Sequence, residues 1–259
     1  MKNGIIIPVY RHGKACVAVV ERLAPLRLPI ILVDDGNDDD TKRYLREIAE
    51  AHHDLVTVVT LERNSGKGSA FAAGIERARE RGLTHVLQLD ADGQHDTNRV
   101  AFFFERAAAA PNALICGYPE YDASVPAHRK NGRKFANVWT RIVTWEPGIV
   151  DALCGFRVYP VEPTWRCMHR AYYDKRMGFD ADVLTRLIWC GLPFEFHGVP
   201  VRYPADGISN FHVIRDNARI SWVFTRLSCG MILRSPLLLA RKLRKRSRHS
   251  AGSDCGGRR

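Results

Sequence analysis

Seven cysteines (Cys16, Cys116, Cys154, Cys167, Cys190, Cys229 and Cys255) are scattered over 259 residues, and no two stand in C-x-x-C spacing. An odd, unpaired set offers neither a disulfide framework nor a zinc ribbon; it reads as reduced, mostly buried thiols of a cytosolic protein. Long uncharged apolar runs are missing too. The first apolar stretch, Ile5-Ile6-Ile7, stops at Pro8, too short for an export signal and better read as a strand. Near the carboxyl end no window of about 18 to 20 residues escapes charge, so a spanning helix is not expected. Two nucleotide motifs are absent as well. There is no G-x-G-x-x-G, which argues against a Rossmann dinucleotide site. Arg63-Asn64-Ser65-Gly66-Lys67-Gly68 is not a Walker A loop, because Leu61 stands where that loop needs glycine and Gly68 where Ser or Thr should follow the lysine.

What is present is a chain with 46% hydrophobic residues, enough to bury the core of one large α/β domain or two small ones. Its 39 Lys and Arg against 28 Asp and Glu leave +11, which points to an anionic partner: nucleotide phosphates, an anionic lipid surface or nucleic acid. Six of the positive charges fall within Arg241 to Arg248. Apolar runs alternate with helical patterns. Strands are predicted at 4–9, 30–33, 56–61, 85–89 and 113–116, and helices at 15–23, 39–51, 69–81 and 98–110. That alternation predicts a mostly parallel sheet with right-handed crossovers, its functional loops along one edge.

The fourth of these strands ends in Leu87-Gln88-Leu89-Asp90-Ala91-Asp92-Gly93-Gln94-His95-Asp96. Ligand-binding groups in such sheets sit just past the carboxyl ends of the strands, so Asp90, Asp92, Gln94 and His95 are delivered to one crevice. Two carboxylates separated by one small residue and followed by an amide suit a hard divalent cation that shares its other ligands with water and a substrate diphosphate. The competing reading is an acidic turn that closes a strand. The other strands deliver Pro8, Tyr10, Arg11 and His12, then Asp34, Asp35 and Gly36, then the Gly66-Lys67-Gly68 segment. A lone loop histidine such as His12 is expected to be a solvated surface group.

In this order, IIIPVYRHG, ILVDDGNDDDT, ERNSGKGSA and LQLDADGQHD resemble the nucleotide-sugar half of a family 2 glycosyltransferase with the GT-A fold, closest in pattern to dolichyl-phosphate-mannose-synthase-like members. The resemblance covers roughly residues 3 to 220. It implies an α/β GT-A domain with a mostly parallel, mixed sheet flanked by helices, a UDP- or GDP-linked sugar donor, Mg²⁺ or Mn²⁺ on its diphosphate, and transfer with inversion. It also implies that Pro8, Tyr10 and Asp35 line the base and ribose pocket with Lys67 nearby, that Asp90 faces ribose and metal, and that Asp92 and Gln94 bind the metal. Arg11 departs from the family, where Asn is usual, and His12-Gly13 replace Glu.

Acceptor-side signals follow in residues 118 to 220. Asp151-Ala152-Leu153-Cys154-Gly155-Phe156-Arg157 resembles the subfamily's D-x-x-C-G-F-R segment beside the reacting sugar, which makes Gly155 and Arg157 acceptor contacts. Gly178-Phe179-Asp180-Ala181-Asp182-Val183 resembles the acidic motif behind the acceptor site. The base for a hydroxyl acceptor would be Asp180, whereas Asp182 is the better match in lipid-phosphate members. Residues two apart on a helix do not share a face, so at most one of them is expected at the reacting centre. A hydroxyl acceptor needs such a base; a phosphate acceptor needs cations. The basic loop 124–134 offers them through Arg129 and Arg133, which share a face if the segment is helical. His212 and Arg215 belong to a segment that resembles the family's closing loop over the donor diphosphate.

From about residue 221 to 249 apolar residues interrupted by Arg226, Arg234 and Pro236 lead into the basic run. This predicts an amphipathic basic helical segment on an anionic membrane, peripheral at its cytoplasmic face, followed by a disordered tail at 250–259. The leading expectation is a metal-dependent inverting glycosyltransferase that uses a lipid or lipid-phosphate acceptor. The alternatives are a nucleotidyltransferase, a catalytically inactive nucleotide-sugar binder and a basic nucleic-acid-binding protein. The last is disfavoured because the charge lies away from the strand-end motifs and no RNA- or DNA-binding motif is present.

Overall fold

The computed structural model describes residues 1–121, 127–202 and 213–253, with backbone alone at 127–132, 213–215, 217 and 244–253. Strands and helices run β1 (Asn3–Val9), α1 (Gly13–Leu23), β2 (Ile30–Asp34), α2 (Asp39–Ala51), β3 (Val56–Thr60), α3 (Lys67–Glu80), β4 (His85–Gln88), α4 (Arg99–Ala109) and β5 (Leu114–Tyr121). They continue with α5 (Ala127–Thr144), β6 (Arg157–Pro160), α6 (Val161–Arg170), α7 (Phe179–Trp189), β7 (Phe194–Val201) and α8 (Val213–Ser253). The seven strands make one sheet in the order β3-β2-β1-β4-β6-β5-β7. Every neighbouring pair is parallel except those of β6, which runs antiparallel to both β4 and β5. The mostly parallel mixed sheet flanked by helices is the one the strand and helix alternation predicts.

Period-two alternation sorts the strands onto two apolar layers. Ile6, Ile31, Val33 and Val86 face α3, α5, α6, α7 and α8, whereas Ile5, Ile7, Ile30, Leu32 and Leu87 face α1, α2 and α4. Gln88 is two residues beyond Val86, so its amide enters the first layer, where it is completely buried. Fully buried strands tolerate such a group only when it is hydrogen-bonded.

Two stretches differ from the sequence reading. The basic segment expected as a loop is helical from Ala127 onward, as the first turns of α5. The carboxyl-terminal helix begins at Val213, carries Pro236 within it and runs to Ser253, past the start of the expected tail. Within it, Ala218–Leu243 is long and apolar enough to cross a membrane by length and composition. Three of its arginines bind the domain instead of facing outward. Arg226 pairs with Asp182, Arg234 lies over the Trp189 ring at 4.8 Å, and Arg241 donates to the Trp189 carbonyl. Spaced eight and seven residues apart, they stitch one face of α8 to α7.

Candidate active site

The antiparallel course of β6 builds the site. Gln88 pairs with Arg157 across the β4–β6 ladder, so the residues just before β6 lie where β4 ends. Cys154, Gly155 and Phe156 therefore meet the Asp90 loop. A Cβ on Gly155 would stand 2.7 Å from both Asp90 Oδ2 and Lys67 Nζ, so any side chain here would push that ion pair aside. Lys67 opens α3, and its ammonium bridges Asp90 Oδ1 and Asp180 Oδ2, each at 2.8 Å. Asp180, in the first turn of α7, also accepts 2.9 Å from Gln88 Nε2, and Gln88 Oε1 accepts from the Tyr159 hydroxyl. Burial opposes the lysine charge, yet Asp180 and Asp90 outweigh it and raise its pKa above the ordinary value. The reciprocal effect holds Asp90 below the usual carboxylate range: burial works upward, but Lys67 and then His95 pull harder.

Asp92 behaves oppositely. Burial and the charge of Asp90 both disfavour its ionised form, and its pKa is raised. It is bonded locally, Oδ1 accepting 3.1 Å from Gln94 N–H, while Arg202 N–H donates to the Gln94 carbonyl and joins the loop to the end of β7. His95 tilts against Phe156 and places Nε2 at 3.7 Å from Cys154 Sγ. Among the described residues no three His, Cys, Asp or Glu side chains are grouped so as to hold a metal ion by themselves. The donor set nevertheless fits a hard divalent cation that completes its shell with water and diphosphate: two carboxylates of one loop repel one another, and a cation shared between them relieves that repulsion.

The first two strands supply a second, tightly bonded layer. Asp35 Oδ1 accepts from Ser65 N–H at 2.7 Å, and its Oδ2 accepts from Gly66 N–H at 2.9 Å and Asn64 Nδ2 at 3.1 Å. The carboxylate expected to line the base pocket is thus engaged in shaping the Lys67 loop. Burial, countered by these bonds, leaves its pKa raised. Gly36 has φ of +64°, and a Cβ there would meet the Arg63 backbone at 2.2 Å, which is why the turn needs glycine. Tyr10 lies under the Arg11 guanidinium at 5.1 Å. Pro8 occupies β1 beside Val33. His12 is half-buried, not solvated, and its pKa is lowered by burial although Asp90 acts the other way.

One expected acceptor contact, Arg157, and one candidate catalytic acid, Asp182, face elsewhere. Arg157 is 0% exposed and donates to the Tyr159 hydroxyl, the Asp180 carbonyl and the Cys154 carbonyl at 3.2, 3.2 and 3.3 Å. It lies beneath the site, because the first residue of β6 points into the helical layer that Gln88 enters. Asp182 is also 0% exposed; it accepts from Arg186 Nε and Asp174 N–H, both at 2.6 Å, and from Arg226. Arg133 is drawn onto Asp151, which also caps Leu153 and Cys154 N–H. Arg129 and Arg215 fall on α5 and α8 where backbone alone is described, and His212 lies outside the described residues.

Several residues passed over in the sequence organise the loops. Asn37 accepts from Arg11 N–H at 2.7 Å and donates to Val9 O and Asp34 Oδ1, locking the first two strand-end loops together. Arg176 donates to Asn64 Oδ1 at 2.6 Å, and Gly68 N–H donates to Lys175 O, fastening the turn before α7 to the Lys67 loop. Gln88 carried a visible signal, an amide inside an apolar strand; Asn37 and Arg176 carried none.

The model of Glycosyl transferase family 2 matches residues 4–168, more than half of the chain. The polyprenol monophosphomannose synthase of Mycolicibacterium smegmatis is 28% identical over 204 residues, covering 77% of this chain and 76% of that protein. The undecaprenyl-phosphate 4-deoxy-4-formamido-L-arabinose transferase of Klebsiella pneumoniae is 34% identical over 164 residues, 61% of this chain and 48% of that protein. Among solved structures, glucosyl-3-phosphoglycerate synthase from Mycobacterium tuberculosis, in complex with Mn²⁺, UDP and glucosyl-3-phosphoglycerate, superposes with a TM-score of 0.62 at 15% identity, covering 90% of this chain and 78% of that one. A mannosyltransferase from Pyrobaculum calidifontis in complex with GDP-Man and Mn²⁺ gives 0.56 at 18% identity, covering 80% and 58%. These structural likenesses show the GT-A fold.

Proposed function

Because the chain belongs to glycosyl transferase family 2, we propose that it moves a sugar, with inversion, from a UDP- or GDP-linked donor to a polyprenyl-type lipid phosphate at the cytoplasmic face of a membrane, with Mg²⁺ or Mn²⁺ as cofactor. The observation that carries this reading is the Lys67 bridge. One ammonium joins Asp90, from the strand-end loop of the donor half, to Asp180, from the first turn of α7 in the acceptor half. A crevice in which both halves meet on one ion pair is where donor and acceptor have to be brought together.

The acceptor's phosphate oxygen forms the new bond to the anomeric carbon while the bond from that carbon to the donor diphosphate breaks, releasing a nucleoside diphosphate. An anionic acceptor oxygen needs no base, so Asp180 is assigned the task of holding Lys67 in place, not of taking a proton. Asp92 and Asp90 would hold the cation, which supplies positive charge to the leaving diphosphate when bound. Gly155 and the 151–154 turn close the crevice over Lys67 and Asp90, and Asp35 keeps the Lys67 loop in register. The lipid acceptor is supported by two of the relatives, whose names specify polyprenol and undecaprenyl phosphate products or substrates. The basic run after Arg241 suits an anionic surface.

A thermal-shift panel of UDP, GDP, CMP and ADP with Mn²⁺, with Mg²⁺ and with EDTA tests the donor side. A nucleotide at 100 times its dissociation constant stabilises by about 2.7 kcal/mol. One diphosphate is expected to raise Tm only with metal and to lose that effect in Asp92→Ala. Absence of any shift under every metal condition refutes the donor site.

A further inference from the structure

Cys167 and Cys190 are 23 residues apart in the chain, yet their sulfurs lie 3.5 Å from one another. The fold brings them together because α6 packs on α7. Cys167 sits on α6, 4% exposed, and Cys190, which is exposed, follows the last residue of α7. One thiol thus meets solvent and the other stands directly behind it. Closing the gap to the roughly 2.05 Å of a sulfur–sulfur bond takes about 1.5 Å. Cys190 lies beyond the last turn of its helix and is followed by Gly191 at φ of +93°, so side-chain rotation and a small shift of the helix end can supply that approach.

The surroundings separate Cys190 from the other thiols. Burial pushes Cys16 and Cys154 up to about 12 and Cys116 up to about 11, which leaves them inert. Cys190 is drawn down to about 6, first by its contact with Cys167 and then, against partial burial, by Arg241, Arg170 and Arg234. Cys167 is pushed up, so the proton of the pair stays on the buried sulfur. A helix carboxyl terminus by itself disfavours a thiolate. Here Arg241 donates to the Trp189 carbonyl and Arg234 lies over the Trp189 ring at 4.8 Å, which brings two guanidinium groups to that terminus, and Arg170 adds a third from the last turn of α6. An exposed thiolate, a buried thiol behind it and cations around it are what thiol–disulfide exchange requires, and the cations favour a disulfide of net negative charge.

We propose that Cys190 and Cys167 form a thiol-modification site for low-molecular-weight anionic disulfides, with Cys190 as the attacking sulfur and Cys167 as the resolving one. The Cys190 thiolate bonds to one sulfur of the small disulfide, whose sulfur–sulfur bond breaks; the leaving thiolate takes the electron pair and then a proton from water. Cys167 next gives its proton to solvent, and its sulfur bonds to Cys190 Sγ and expels the second thiolate, which is protonated in turn. The small disulfide is reduced to two thiols, and the protein is oxidised by two electrons to a Cys167–Cys190 bridge. Neither sulfur belongs to the crevice around Lys67, so this chemistry is separate from sugar transfer.

The test is incubation of the reduced full chain with oxidised glutathione, alkylation of the remaining thiols in denaturant, and mass spectrometry of the intact chain and its peptides. The native chain is expected to lose two hydrogens and to yield a cross-linked peptide pair holding Cys167 and Cys190, and dithiothreitol is expected to reverse both. Cys167→Ala should stop at a glutathione adduct on Cys190, and Cys190→Ala should leave Cys167 unmodified. Cystamine, a cationic disulfide, should react several-fold more slowly than oxidised glutathione once each is scaled to its rate with a free thiol. The proposal is overturned if glutathione labels exposed Cys229 while the Cys167–Cys190 peptide pair is absent, if folded Cys167→Ala carries no adduct on Cys190, or if cystamine is the faster reagent. The cross-link is read in the native chain without any substitution, so a variant that fails to fold leaves that decision intact.

Discussion

Gly155→Ala is the sharpest perturbation of the proposed centre. The new methyl group would lie 2.7 Å from Asp90 Oδ2 and Lys67 Nζ and 2.9 Å from Asp90 Oδ1, whereas ordinary contact begins at 3.4 Å. The ion pair must therefore retreat by about 0.7 Å (3.4 less 2.7). Gly155 is not among the glycines with positive φ, so the alanine backbone itself is unstrained. The atoms displaced are the free ends of two side chains, so the cost in stability should sit at the low end of overpacking, about 1 kcal/mol. Catalysis should suffer far more, because misplacement of a positioned group by about 1 Å can cost on the order of 100-fold. The expected result is a kcat lowered by on the order of 10- to 100-fold at saturating donor, with a urea midpoint close to native. Initial rates of sugar transfer to a short polyprenyl phosphate, paired with urea melts, read both quantities. A variant with native kcat would show that the Lys67–Asp90 geometry is irrelevant to transfer and remove the observation on which the functional reading rests.

Arg157→Met removes a buried guanidinium that serves the Tyr159 hydroxyl and the Asp180 and Cys154 carbonyls. It should lower stability by about 2 to 4 kcal/mol in urea titrations, since acceptors are left unpaired, while leaving the acceptor KM of the folded fraction unchanged. A raised acceptor KM at native stability would restore Arg157 to the acceptor site. His85 is 5% exposed, with Nε2 at 2.8 Å from the Pro111 carbonyl, and burial lowers its pKa below the ordinary 6.5. Its unfolded form binds the proton more readily, so its contribution to stability is complete above 6.5 and is lost as pH falls toward the folded value. Urea midpoints measured downward from pH 7 should drop less steeply in His85→Gln; identical pH slopes would refute this assignment.

Local chemistry made the donor half legible. Short apolar runs that end in polar residues fixed β1 to β4, and the Asp34-Asp35-Gly36 and Asp90-Ala91-Asp92 clusters marked the edge where they end. The acceptor half was harder to read, because its meaning depends on pairing across distance. Arg157 looks like a phosphate-binding arginine in a list of residues; only the β4–β6 register shows that it points into the core. Asp180 and Asp182 are equivalent in composition, and the helix sends one to Lys67 and the other to Arg186 and Arg226. The basic stretch 124–134 read as a loop because residues 128–134 hold no large apolar side chain, and the apolar positions of α5 begin only at Phe135.

A single directional rule accounts for the convergence of these distant segments. In a sheet whose β1, β2, β3, β4, β5 and β7 all point the same way, a loop after a strand and the first turn of a helix on either side of it share one edge. Asp90 follows β4, and Lys67 opens the helix after β3. Asp180 opens α7, which leads back to β7 and so must begin where the other strands end. Gly155 obeys the rule only because β6 is reversed: an antiparallel strand begins at the edge where its neighbours finish. A parallel β6 of four residues would have carried the Cys154–Gly155 turn to the opposite edge, about 13 Å away at the usual rise of roughly 3.3 Å per residue. The reversal also starts the strand with Arg157 under Asp180, so the guanidinium that looked like an acceptor ligand becomes the support of the helix turn that holds Lys67. One strand direction thus decides both what closes the crevice and what lies beneath it.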